Sequence, residues 1–171
     1  MRRRFGVLVV VASVGAGLLA GAPAFGGTLD FGPPGQPGIG NFAPITLNGA
    51  PVLTSVTIDP FSVVDSTGSG AGWNVNLTVS NLVAGGAVIP ASSMSMGAPV
   101  IAPSGGASMA GVAGHATTGN LSTGEKIVTA DAGDGDGTYL VSPAILTLTI
   151  PPDASAGSYA ASATIAVVSG P

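Results

Sequence analysis

Few side chains in this sequence are equipped for chemistry, and they fall in three places. The first is Asp131-Ala132-Gly133-Asp134-Gly135-Asp136-Gly137. Asp131, Asp134 and Asp136 put hard oxygen donors on a glycine-rich backbone that can curl around a cation, and calcium suits such donors. The spacing is Asp-x-x-Asp-x-Asp-Gly, however. An EF-hand loop alternates its donors and closes on a bidentate glutamate, where this sequence has Ser142. Residues of the same types also build turns that bind nothing. The second place is His115, the only histidine, in Gly111-Val112-Ala113-Gly114-His115. A hydrolase needs a nucleophile, a base and an orienting group within reach of one another. With one imidazole, no cysteine and no Gly-x-Ser-x-Gly elbow, the sequence predicts an exposed loop histidine and no enzyme, and it lacks the ligands for a structural zinc. The third is Trp73, the only tryptophan. A ring near a strand end could stack on a sugar of a wall glycan, but its alternation with Val75 and Leu77 assigns it to a core.

The elements that carry these residues follow a leader. Arg2, Arg3 and Arg4 precede the apolar stretch Phe5 to Ala20, and Ala22-Pro23-Ala24 supplies the small residues of a cleavage site. The apolar stretch is short for a spanning helix and carries three glycines. Residues 1–24 therefore read as a secretory signal peptide, the alternative being an uncleaved N-terminal anchor. Removal of the leader leaves Lys126 against eight acidic residues, a formal charge of −7. Such a surface cannot neutralise phosphates, which excludes nucleic acid as a partner. It also disfavours docking on anionic lipid. No second apolar run of membrane length follows, so residues 25–171 are expected to be exported with no membrane association after processing. Without cysteine there are no disulfides and no lipid-modified cysteine.

The 28 glycines and 14 prolines argue against helix, while 46% hydrophobic residues and few charges argue against disorder. Residues 27–51 form an irregular N-terminal arm or edge segment with the run Gly32-Pro33-Pro34-Gly35-Gln36-Pro37-Gly38. From Val52 the pattern has period two, with Pro60 interrupting it. Trp73, Val75, Leu77 and Val79 point one way and Asn74, Asn76, Thr78 and Ser80 the other, which predicts one buried and one solvated face. Residues 84–124 are too weakly periodic to place beyond short strands and long loops. Lys126–Ala130 and Thr138–Ser142 read as strands flanking the acidic loop. Leu146, Leu148 and Ile150 share a face, as do Tyr159, Ala161, Ala163, Ile165 and Val167. Strands whose faces cannot be buried alone must pack against another sheet. The expectation is an all-β, antiparallel β-sandwich of Greek-key or barrel-like form, a single domain over residues 25–171.

Four stretches resemble the WxL (Trp-x-Leu) cell-wall-binding domain of Gram-positive surface proteins. Thr28-Leu29-Asp30-Phe31-Gly32 is similar to the family's opening strand. Val64-Asp65-Ser66-Thr67-Gly68-Ser69-Gly70-Ala71-Gly72-Trp73 resembles the segment leading into its first Trp-x-Leu motif. Ala130 to Tyr139 is similar to its Gly-x-Gly-x-Gly loop before an aromatic, and Leu148 to Pro171 to its closing strand pair. The stretches come in the family's order and span nearly all of residues 25–171. Val75 stands where Leu is usual; in the second motif Ile165 replaces Trp and Val167 replaces Leu. These changes preserve apolar character, but Ile165 could not stack on a sugar. The resemblance implies a secreted protein of the cell wall or cell surface, held non-covalently to peptidoglycan or another cell-wall polymer. It also implies, in some members, assembly with other surface proteins, and it explains the acidic loop as a family turn. Trp73, Val75, Ile165 and Val167 are the motif positions. Two further readings stand beside wall attachment: a structural or assembly protein, and an adhesin module stabilised by calcium.

Overall fold

The computed structural model describes residues 26–171 together with the backbone of residues 4–11; the rest of the expected leader lies outside the described residues. In chain order the strands are β1 (Arg4–Val11), β2 (Leu29–Gly32), β3 (Ile45–Thr46), β4 (Val52–Ile58) and β5 (Phe61–Asp65). Then come β6 (Trp73–Val79), β7 (Leu82–Ala84), β8 (Ala87–Ile89), β9 (Met94–Met96) and β10 (Ile101–Ser104). The last five are β11 (Val112–Gly114), β12 (Glu125–Ala130), β13 (Gly137–Val141), β14 (Ala144–Ile150) and β15 (Ser158–Ser169). A single turn of 3-10 helix, Ala91–Ser93, is the only helical element among the described residues.

The strands form three sheets. The largest runs β11-β12-β6-β15-β1-β3, with the β7–β8 hairpin attached through Val83 opposite Ala160. The second is β10-β13-β5-β2 and the third β4-β14-β9. Pairing is antiparallel throughout except between β1 and β15, which run parallel from Gly6 opposite Ser158 to Val11 opposite Ala163. The expected all-β, sandwich-like fold is observed. Pro103 sits in β10, an edge strand, where its missing N–H costs no ladder bond.

Alternation explains the core. Trp73, Val75, Leu77 and Val79 of β6 are buried, as are Leu146, Leu148 and Ile150 of β14 and Tyr159, Ala161, Ala163 and Ile165 of β15. They join Phe61 and Val63 of β5 and Tyr139 and Val141 of β13 in one cluster drawn from all three sheets. Burial of this apolar surface is the main force holding the sheets together.

One expectation needs correction. The polar face of β6 is not solvated: Asn74 is buried and Asn76 and Thr78 are half-buried. The reason is position, because β6 lies between β12 and β15, and Asn74 Nδ2 donates to Gly170 O at 2.7 Å. Within the N-terminal arm or edge segment, residues 29–32 form the edge strand β2 of the second sheet, with Phe31 opposite Val63. The strands flanking the acidic loop occur as predicted, but β12 and β13 belong to different sheets. That loop therefore carries the chain from one sheet to another.

Candidate functional site: a polar groove beside the tryptophan core

The sequence-predicted motif residues meet in the interior. Trp73 is fully buried; its Nε1 donates to Gly135 O at 2.9 Å, and its ring lies 5.6 Å from that of Tyr139. Val75 faces Val167 and Leu77 faces Ile165 across the β6–β15 ladder. Val75 and Ile165 are buried and Val167 is half-buried at the rim. Trp73 therefore offers no open ring face for a sugar. These four positions are packing residues.

Around Trp73 the two loops of the second and third resembling stretches are stitched together. Asp65 is buried and accepts from Thr67 N at 2.9 Å and Thr67 Oγ1 at 2.7 Å, closing the turn that precedes Trp73. Gly133 N donates to Gly70 O, and Gly170 N to Gly72 O, both at 2.9 Å. Gly72 has φ +70°, and a Cβ there would lie 2.4 Å from Ala130 O, so only glycine fits.

The acidic loop is part of this stitching. Asp134 N donates to Asp131 O at 3.0 Å and Asp131 N to Gly111 O at 3.0 Å. Asp131 and Asp136 are exposed and Asp134 half-buried. Among the described residues no three His, Asp or Glu side chains gather into a group able to hold a metal ion, Asp131, Asp134 and Asp136 included. The donor set needed for calcium does not converge here. Tyr139, whose hydroxyl donates to Ser108 O at 2.7 Å, has its pKa raised by burial first and then by the charges of Asp136, Asp134 and Asp65.

The polar residues that do converge lie elsewhere. His115, Ala116, Thr118, Glu125, Lys126 and Thr129 line an open groove of about 420 Å³ at the β11–β12 end of the largest sheet. It collects the only histidine and the only lysine of the sequence. His115 N donates to Ile127 O, fixing the loop on β12, and His115 Nε2 lies 2.8 Å from Thr129 Oγ1. The Glu125 carboxylate accepts from the backbone N–H groups of Thr118 and Asn120 and from Thr118 Oγ1. Burial alone would raise its pKa, but these hydrogen bonds outweigh that and hold it below the usual carboxylate value. Lys126 Nζ donates to Pro171 O at 2.7 Å.

The strand ladder continues this polar surface inward. Asn76 stands opposite Lys126 and Asn74 opposite Thr129. The Oδ1 atoms of both asparagines are buried and accept no hydrogen bond from protein. Imidazole, hydroxyl, ammonium and carboxylate groups side by side suit a ligand rich in hydroxyl and amide groups.

His115 is the exposed loop histidine that the sequence predicts, but the groove it lines is not legible there. Lys126 opens a predicted strand, Glu125 carries no signal of its own, and nothing in their spacing from His115 signals that β11 and β12 pair. The one available signal was compositional: in a chain with so few charges, the lone lysine follows a glutamate directly. Comparison with family models, with curated proteins and with solved structures returns no match for this chain.

Proposed function

We propose that this chain is an exported, non-enzymatic binding module of the WxL type that attaches non-covalently to the Gram-positive cell wall, through peptidoglycan or an associated polymer. The observation that carries the reading is the contact between Trp73 and Gly135. The stretches that resemble the family are far apart in sequence, yet they pack into one unit. Trp73 of the first motif is seated on the glycine-rich loop of the third stretch, the first stretch pairs with β5 just before that motif, and the closing strand pairs with β6 along its length. A family signature whose members depend on one another sterically is better support than separate short motifs.

Attachment would use the groove at His115, Glu125, Lys126 and Thr129. At −7 after processing, the domain is repelled by anionic wall polymers, so attraction must come from hydrogen bonds to neutral glycan or peptide. Such binding is weakly sensitive to salt.

Expression of the full chain in a Gram-positive host tests the reading. The account expects a processed chain beginning at Phe25 by mass spectrometry, recovered with the wall fraction and released by denaturant. A chain that keeps residues 1–24, or that appears only in the medium, contradicts it.

A further inference from the structure

We propose that the processed domain carries a strand-acceptor slot along the free edge of β15, which takes an extended apolar segment of another exported chain running parallel to β15. The inference rests on the processing of residues 1–24 in the reading above. In the full chain, β1 lies between β15 and β3: it pairs with Ser158–Ala163 on one side and with Ile45 and Thr46 on the other. Gly6–Val11 pair with β15 and Arg4 and Phe5 with β3, so removal of the leader uncovers the β15 edge along Ser158–Ala163 and, beyond its start, the short β3 edge at Ile45 and Thr46.

The uncovered stretch of β15 is a strand edge. Ser162 N and O bond to Ser80, on the β6 side of β15. By alternation the N–H and C=O groups of Ala161 and Ala163 point the other way, out from the uncovered edge. Ile165 O, on that same side, accepts from Gln36 Nε2 at 2.8 Å, so the edge is capped just beyond the slot and open within it. Exposed edges are ordinarily guarded by lysine, proline or a bulge. The stretch Ser158-Tyr159-Ala160-Ala161-Ser162-Ala163 has none of these.

The chemistry of the occupant follows from the same stretch. Apart from Tyr159 it contains only alanine and serine, so the edge supplies backbone groups and little bulk. Its partner must bring the larger apolar side chains, as the leader sequence Phe5-Gly6-Val7-Leu8-Val9-Val10-Val11 does in the same register. An open hollow of about 590 Å³ lined by Leu47 and Asp153 to Ala156 adjoins the start of β15 and admits the end of such a strand. This is strand addition, with main-chain bonds giving affinity and side-chain bulk giving selectivity.

The test uses the processed chain secreted by a Gram-positive host, its N-terminus established by mass spectrometry. A fluorescent peptide with the sequence Arg2–Val11 is titrated into it, beside the same peptide carrying Leu8→Pro and Val9→Pro. The two peptides share their charges, so any difference reports strand pairing. The account expects saturable binding, a raised melting temperature, and slowed amide exchange at Ala161 and Ala163. It expects affinity for the proline peptide to be weaker by about tenfold or more. Equal affinity for both peptides, or no binding, overturns the slot. A processed chain that elutes as a dimer and refuses the peptide also overturns it, because a second copy then holds the edge. A chain found unprocessed refutes the export reading instead, and leucine and valine amides of β1 protected in that chain still support the slot.

Discussion

Trp73 Nε1 donates to the carbonyl of Gly135 at 2.9 Å, and a Cβ at position 135 would sit 2.6 Å from that nitrogen. Gly135 also has φ +88°, and the same Cβ would lie 2.5 Å from that of Ala130. The loop is thus shaped around the indole, and the indole closes the loop.

Substitution at either partner should unfold rather than rearrange. Gly135→Ala forces both a left-handed residue and a clash, and is expected to cost about 2 kcal/mol or more. Trp73→Ala leaves a cavity in the centre of the cluster and is expected to cost about 3–5 kcal/mol. Trp73→Phe retains most of the volume but orphans Gly135 O, at a cost of about 1–3 kcal/mol. Denaturant titration followed by indole or tyrosine fluorescence measures each. The native indole should emit at the short wavelength of a dry environment.

Acid should weaken the loop beside β11 through Glu125. Its carboxyl pKa is lowered in the folded chain because Thr118 and Asn120 donate to it. A lowered folded value means that the charged form is favoured by folding. The stabilisation is present above the ordinary glutamate range and is lost as pH falls through the lowered value. The melting temperature of the native chain should fall more steeply between about pH 5 and pH 3 than that of Glu125→Gln. The variant starts lower at neutral pH, since its amide cannot accept from both N–H groups.

Chelation should leave stability unchanged. Asp131, Asp134 and Asp136 do not converge on a point, and the turn is closed by backbone bonds to Gly70 and Gly111. Melting curves with added calcium and with chelator are expected to superimpose. A midpoint raised by calcium would mean that binding to the folded state recruits those carboxylates.

Much of this fold was legible because its long strands alternate cleanly. The Trp73–Val79 and Leu146–Ile150 patterns each assign a buried face with no knowledge of partners. What alternation cannot convey is the neighbour on each side. Asn74 reads as solvated from its own strand, and becomes buried because β12 and β15 flank β6. The same limit hid the groove. His115 and Thr129 come together only through the β11–β12 ladder, in a region whose glycine and alanine content leaves no period to read. Alternation did assign Trp73 and Ile165 to the buried face, and both are spent on the core.

The most direct test of wall attachment is sedimentation of the processed domain with purified peptidoglycan, at low and high salt, beside Thr129→Val and His115→Ala. These groove variants lie at or near the surface and should fold like the native chain, which circular dichroism checks. The account predicts co-sedimentation of the native domain that persists in high salt, with binding reduced about tenfold in the groove variants. A native domain that stays in the supernatant, or one that salt strips from the wall, would contradict it.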